Sequence, residues 1–101
     1  MDSTTFNALP LHDARVSDVV VDWEKKRCRF KLSVFTTPGR SAKPHTLTFE
    51  GVTLLVMSHE EPWGPSSFVN SLSSSNGHFK IEMQSGDIIE VRATTCAFSA
   101  L

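Results

Sequence analysis

The chain announces itself by alternation. From Val19 to Val34, "VVDWEKKRCRFKLSV" follows the first valine; Val19, Val21 and Trp23 share one parity, and Cys28, Phe30, Leu32 and Val34 share the other. A period of two is the mark of a strand with one buried face. Pairing Trp23 with Cys28, Val21 with Phe30 and Val19 with Leu32 brings all of these side chains to a single face. The same register sets Asp22 opposite Arg29 and Glu24 opposite Arg27 on the other face. It predicts a hairpin turning around Lys25-Lys26, with a loop from Glu24 to Arg27.

Residues 36–44, punctuated by Pro38, Gly39 and Pro44, read as a loop. In the strand that follows, Leu47 and Phe49 keep one parity, whereas Val52, Leu54 and Val56 take the other. Gly51 sits at the slip, where a glycine signals a bulge or sharp bend. A last pair of strands alternates Phe79, Ile81 and Met83, then Ile89, Val91 and Ala93. Opposing Ile81 to Val91 requires an odd loop, Ser85 to Asp87, or a bulge at Gln84-Ser85-Gly86-Asp87. Beyond Ala93 the phase slips again, since Cys96 and Phe98 change parity, so the strand bends there or has a second covered face.

Between these runs, residues 59–77 read as a loop. Pro65 at a first helical position, followed by Phe68, Val69 and Leu72, predicts one short helical turn near 65–72. Ser73 to Gly77 is a polar, flexible stretch, and residues 1–10 show no periodicity and read as a flexible N-terminus. The expectation is one all-β domain over residues 1–101: a small antiparallel sheet of about five strands curled into a barrel or sandwich.

Composition narrows the classes of partner. Net charge is −1 over 101 residues, with 21% charged and 40% hydrophobic, so no general field draws in nucleic acid or anionic membrane. The opening MDSTTFNALP has neither the basic start nor the apolar run of a signal peptide. Nothing approaches a bilayer-spanning length. Cys28 and Cys96 make no disulfide framework and read as core thiols of a reducing compartment. A cytoplasmic protein is expected.

Candidate chemistry is sparse. His12-Asp13 and His59-Glu60-Glu61 lack the further histidines at helical spacing that a zinc site needs, so no metal or cofactor is expected. Ser66 or Ser67 would need activation by His59 or His78, and no nucleophile-elbow signature surrounds them. Cys28 points to the core, as an inert thiol. The basic run Lys25, Lys26, Arg27, Arg29 and Lys31 faces acids across the hairpin and carries no outward aromatics for stacking bases. The most pointed feature is Trp63, between Pro62 and Pro65 in "EEPWGPSSFVN". A tryptophan on a rigid loop either anchors a partner or closes the end of the sheet, and the strands around it predict that it faces inward.

With these pieces in place, the chain resembles an uncharacterised family of small bacterial all-β proteins. The resemblance is carried by Leu11 to Ala14, Asp22-Trp23, Phe49 to Val52, Pro62 to Ser67 with Val69-Asn70, and Ile81 to Asp87 with Ile89. It implies no activity. The Leu11-His12-Asp13-Ala14 opening and paired meanders are also similar to bacterial toxin-immunity proteins. At the level of fold, Lys80 to Val91 and the bend at Gly51 resemble an Sm-like barrel; residues 1–10 lack the periodicity of that fold's N-terminal helix, so RNA binding is not carried over with the likeness.

The functional expectation is therefore a non-enzymatic module that binds another protein, with an immunity-like inhibitor as one form. Trp63, Phe68 and Asn70 are the candidate contact residues. A homo-oligomer could form through a sheet edge or through outward-facing Val20, Ile88 and Phe98. The alternatives are an Sm-like oligomer that binds RNA and a small hydrolase using Ser66 or Ser67 with His59 or His78.

Overall fold

A computed structural model, which describes residues 1–101, arranges the chain as one short helix and eight strands. They are α1 (Ser3–Asn7), β1 (Arg15–Asp22), β2 (Arg27–Val34), β3 (Lys43–Glu50), β4 (Leu54–Met57), β5 (Val69–Ser75), β6 (His78–Met83), β7 (Ile88–Arg92) and β8 (Thr95–Ala100). Two antiparallel four-stranded sheets result, in the orders β1-β2-β3-β8 and β4-β7-β6-β5. The all-β expectation holds, but a single curled sheet of about five strands does not. The two sheets do not close into a barrel; an isolated bridge, Arg15 to Phe68, joins their near edges.

The strand count rises because two runs are bent. The run from Lys43 to Met57 crosses between sheets at Gly51, and the run from Ile88 to Ala100 crosses at Thr94. The bends face each other: Thr94 N donates to Glu50 O at 2.9 Å and Thr53 N to Arg92 O at 2.9 Å. Gly51 has φ +64, and a Cβ there would lie 2.4 Å from Thr94 Oγ1. The slip extends through Thr53, so Leu55 rather than Leu54 packs on the core, and Val56 points outward. The second bend brings Cys96 and Phe98 inward, and Phe98 stacks on His45 with centroids 4.9 Å apart. Phe98 is thus not an outward residue, whereas Val20 and Ile88 are 52% and 41% exposed.

Each predicted hairpin keeps its side-chain parity but slides by two residues, and Val21, expected on the buried face, is 51% exposed. Val21 pairs with Cys28 and Val19 with Phe30, so Asp22 opposes Arg27 and Trp23 leaves the strand. The turn decides this: Asp22 Oδ1 accepts from Lys25 N at 3.1 Å, and Lys26 adopts φ 52. Trp23 is consequently 89% exposed. In the other hairpin Ile81 pairs with Ile89 and Phe79 with Val91. Gly86, at φ 89, takes the left-handed position of a three-residue loop, Gln84 to Gly86, closed by Met83 N to Asp87 O at 2.8 Å.

Two stretches are more ordered than expected. There is no helical turn at 65–72, and residues 59–77 are not all loop, because Val69–Ser75 is β5. Asn76 and Gly77, at φ 49 and 76, form the tight turn to β6, a pair of left-handed residues suited to a two-residue hairpin. The N-terminus carries the helix instead. Asp2 caps α1 through Thr5 N at 2.8 Å, and Ser74 Oγ donates to Asn7 Oδ1 at 3.2 Å. Phe6 is fully buried, edge-on to Phe79 at 4.9 Å and tilted against Phe49 at 6.4 Å.

Both devices are testable by chemical denaturation. Gly51→Ala is expected to cost at least about 1–2 kcal/mol from the left-handed backbone alone, plus the clash with Thr94; adding Thr94→Ala should recover part of the loss. Phe6→Ala should destabilise the domain by about 3–5 kcal/mol, whereas a loosely attached N-terminus would make it neutral.

Candidate functional site

After β4 the chain leaves the sheet, and residues Ser58 to Ser67 run over the β6–β7 turn before entering β5. The loop is held by one carboxylate. Asp87 is 4% exposed. Its Oδ1 accepts from Glu60 N at 2.7 Å, Ser58 Oγ at 3.1 Å and Glu61 N at 3.3 Å. Its Oδ2 accepts from Ser85 Oγ at 2.7 Å and Glu61 N at 3.0 Å. Burial on its own would raise the Asp87 carboxyl, but the bonds from Ser85, the Glu60 and Glu61 amides and Ser58 outweigh it and hold the group below the usual carboxylate value.

The rest of the loop is tied with equal care. Glu61, at φ 53, accepts Gly64 N through its carbonyl at 3.0 Å and Ser66 N through Oε2 at 3.0 Å. Trp63 N donates to Ser85 O at 2.9 Å, Gln84 N to Phe68 O at 2.8 Å, and Val16 N to Ser67 O at 2.8 Å. The loop lies so close to the turn that a Cβ on Gly86 would stand 2.8 Å from Trp63 Cδ2 and 2.9 Å from Pro62 Cγ. Pro62 and Pro65, with φ fixed by their rings, restrict the loop further.

Trp63 does not face inward: it is 68% exposed. Its indole lies against Gly86, where a Cβ would stand 2.8 Å from Cδ2, and the glycine leaves room for this close approach. Phe68, at the loop's exit, is 40% exposed. Asn70 behaves differently. Its Nδ2 donates to Glu82 Oε1 at 2.7 Å and its carbonyl meets His12 Nδ1 at 2.7 Å, so its polar groups are engaged within the protein. Of the three expected contact residues, the structure presents two outward and uses the third as a tie.

The remaining candidates are dispersed. His12 lies 3.6 Å from Asp13, whose Oδ1 accepts from Gln84 Nε2 at 2.5 Å. His59 faces Glu61 at 3.9 Å, and His78 faces Glu90 at 3.6 Å. Ser66 Oγ accepts from Phe68 N at 3.1 Å, and no hydrogen bond joins Ser66 or Ser67 to either histidine. Burial pushes the Cys28 and Cys96 thiols up to about 11 and about 12. Arg27 Nε pairs with Glu50 Oε1 at 2.7 Å. No three His, Cys, Asp or Glu side chains converge as a metal-holding group, and no helix is long and apolar enough to cross a membrane.

Pattern reading overlooked Asp87, although a signal was present. It shares the parity of Ile89 and Val91, and an acid at an inward position must find several donors or not be buried at all. Because its folded-state value lies below the unfolded one of about 3.9, its stabilisation is complete above about pH 4 and is lost as pH falls through the folded value. Asp87→Asn should therefore lower stability at neutral pH and flatten the acid limb of the stability profile. Amide exchange at Glu60 and Glu61 should accelerate in the same variant; unchanged exchange would show that the loop is held by something else. Among known proteins, the chain matches no family model, no curated protein and no solved structure.

Proposed function

We propose that this protein is a non-enzymatic module that binds another protein through the Ser58–Phe68 loop, with Trp63 as its anchor and Phe68 beside the loop's base. The observation that carries this reading is an exposed tryptophan on a loop whose backbone is clamped by a buried carboxylate. Tryptophan offers a large apolar surface and one N–H donor, the combination most enriched at the energetic centres of interfaces. Holding it on a bonded, proline-framed loop lowers the ordering cost that association otherwise carries. An immunity-like inhibitor, which must occlude a surface of its target, is one specific form of this activity.

The test pairs binding with folding. Trp63→Ala leaves the clamp in place, so its melting temperature should stay close to that of the parent protein. Affinity capture from the source cells should recover a protein on the parent chain and lose it on Trp63→Ala, with Phe68→Ala intermediate. In a Trp23→Phe background, the remaining indole emission should shift to the blue as that partner is added. Identical recovery on the parent and the Trp63→Ala variant would overturn the reading.

A further inference from the structure

A groove of about 520 Å³ lies away from the Trp63 loop. It lies between the β1–β2 hairpin tip and the outer edge of β4, and Val21, Trp23, Val52, Leu54 and Leu55 form its apolar wall, with Lys26 at the rim. β4 is an edge strand of its sheet, so every other residue turns its N–H and C=O away from β7 with no strand to receive them.

The other edges are blunted and this one is not. β1 has a register shift between Val16 and Asp18 and carries Asp18 and Asp22. β5 has a shift between Val69 and Ser71, is rich in serine, and has α1 bonded to it through Ser74. β8 presents Thr95, Ala97 and Ser99 outward, with no large apolar group. β4 is Leu54-Leu55-Val56-Met57, continuous in register, with no charge, proline or bulge. Val56 and Met57 are 48% and 46% exposed.

What should cover it is indicated by charge at its two ends. Val52 N donates to Lys26 O at 2.8 Å, which sets the basic tip, Lys25-Lys26, beside the strand's start. The strand's end runs into Glu60. None of Lys25, Lys26 and Glu60 has an ion-pair partner within the chain. A strand that is basic at one end and acidic at the other is complementary to itself when reversed.

We infer that β4 pairs antiparallel with β4 of a second copy of this chain across a two-fold axis, joining two four-stranded sheets into one of eight. Side-chain parity and the charges at the two ends together select the register. Leu55 and Met57 pair with the inward Val91 and Ile89, whereas Val56 pairs with the outward Glu90. Opposed residues must share a face, which leaves registers two residues apart; the one that brings Glu60 opposite Val52, and so to Lys26, has Val56 meeting Val56 of the second copy on the axis and Leu55 meeting Met57. The second copy's Met57 then enters the apolar groove beside Trp23, and its Glu60 falls opposite Val52, next to Lys26. Two-fold symmetry makes each contact twice. This surface shares Glu60 with the loop but uses neither Trp63 nor Phe68, and the pairing does not depend on the reading of those two residues.

Analytical ultracentrifugation of the full chain over a range of concentrations tests it. The parent protein should sediment as a monomer–dimer equilibrium. Val56→Lys, at an exposed position, should stay folded and weaken dimerisation by roughly tenfold or more, because it sets like charges side by side on the axis. Glu60→Lys should weaken it as well, and adding Lys26→Glu should restore it, which a general loss of folding would not do. Amides of Leu55 and Met57, which turn away from β7, should be protected from exchange in the parent and not in Val56→Lys. A parent chain that stays monomeric, or a Val56→Lys chain that dimerises as well as the parent, overturns the pairing, as does a charge reversal without recovery.

Discussion

The contact on which the molecule turns is Phe49 against Phe79, edge-on at 5.1 Å. Phe49 belongs to the first sheet and Phe79 to the second, so this pair fixes how the two sheets face each other. Phe30 meets Phe49 at 5.7 Å from within the first sheet, and Phe6 closes on Phe79 at 4.9 Å from the helix. Offset and edge-on arrangements are those the ring quadrupole favours. The chain must then pass between sheets within two residues of Phe49, and only a residue without Cβ can make that bend against Thr94. Gly51 follows from the packing rather than the reverse.

The same scaffold explains the Trp63 loop. Pairing of β6 with β7 puts Asp87 at an inward position just beyond a three-residue turn, where no core side chain reaches. The carboxylate is kept charged by Ser85 of the turn itself and by donors from the segment that crosses it. The loop is therefore not draped on the sheet but built around an anion, and its shape is set by hydrogen-bond geometry. Such a loop can display an aromatic residue without losing order, which is what separates Trp63 from Trp23 on its hairpin tip.

Alternation foretold which residues would be buried far better than which would be neighbours. Val19, Cys28, Phe30, Leu32, Phe79, Ile81, Ile89 and Val91 all face the core side as their parity demands. Both hairpins nevertheless slid by two residues, because a two-residue shift leaves every side chain on the same face and only the turn distinguishes the alternatives. Asp22 and Lys26 chose one turn; Gly86 chose the other. The serine run of β5 was opaque for a related reason: its partners supply the order that its composition does not, and the Asn76-Gly77 turn was the readable cue. At the site, the prolines and Trp63 were legible as a rigid displayed element, but the direction of the indole was not.

By itself the sequence determined the class of fold, the inward faces of the main strands, the bends near Gly51 and beyond Ala93, and a stiff loop bearing Trp63. These are local quantities, set by side-chain period and backbone preference over a few residues. Tertiary structure alone decided that two sheets form in place of one, that the N-terminus folds into a helix plugging the core, that Phe98 turns in and Trp63 out, and that Asp87 holds the loop. Each of these is settled by volume and donors contributed from distant parts of the chain. A buried carboxylate draws whichever amides can reach it, and the segment so drawn across the β6–β7 turn carries its indole on the outside.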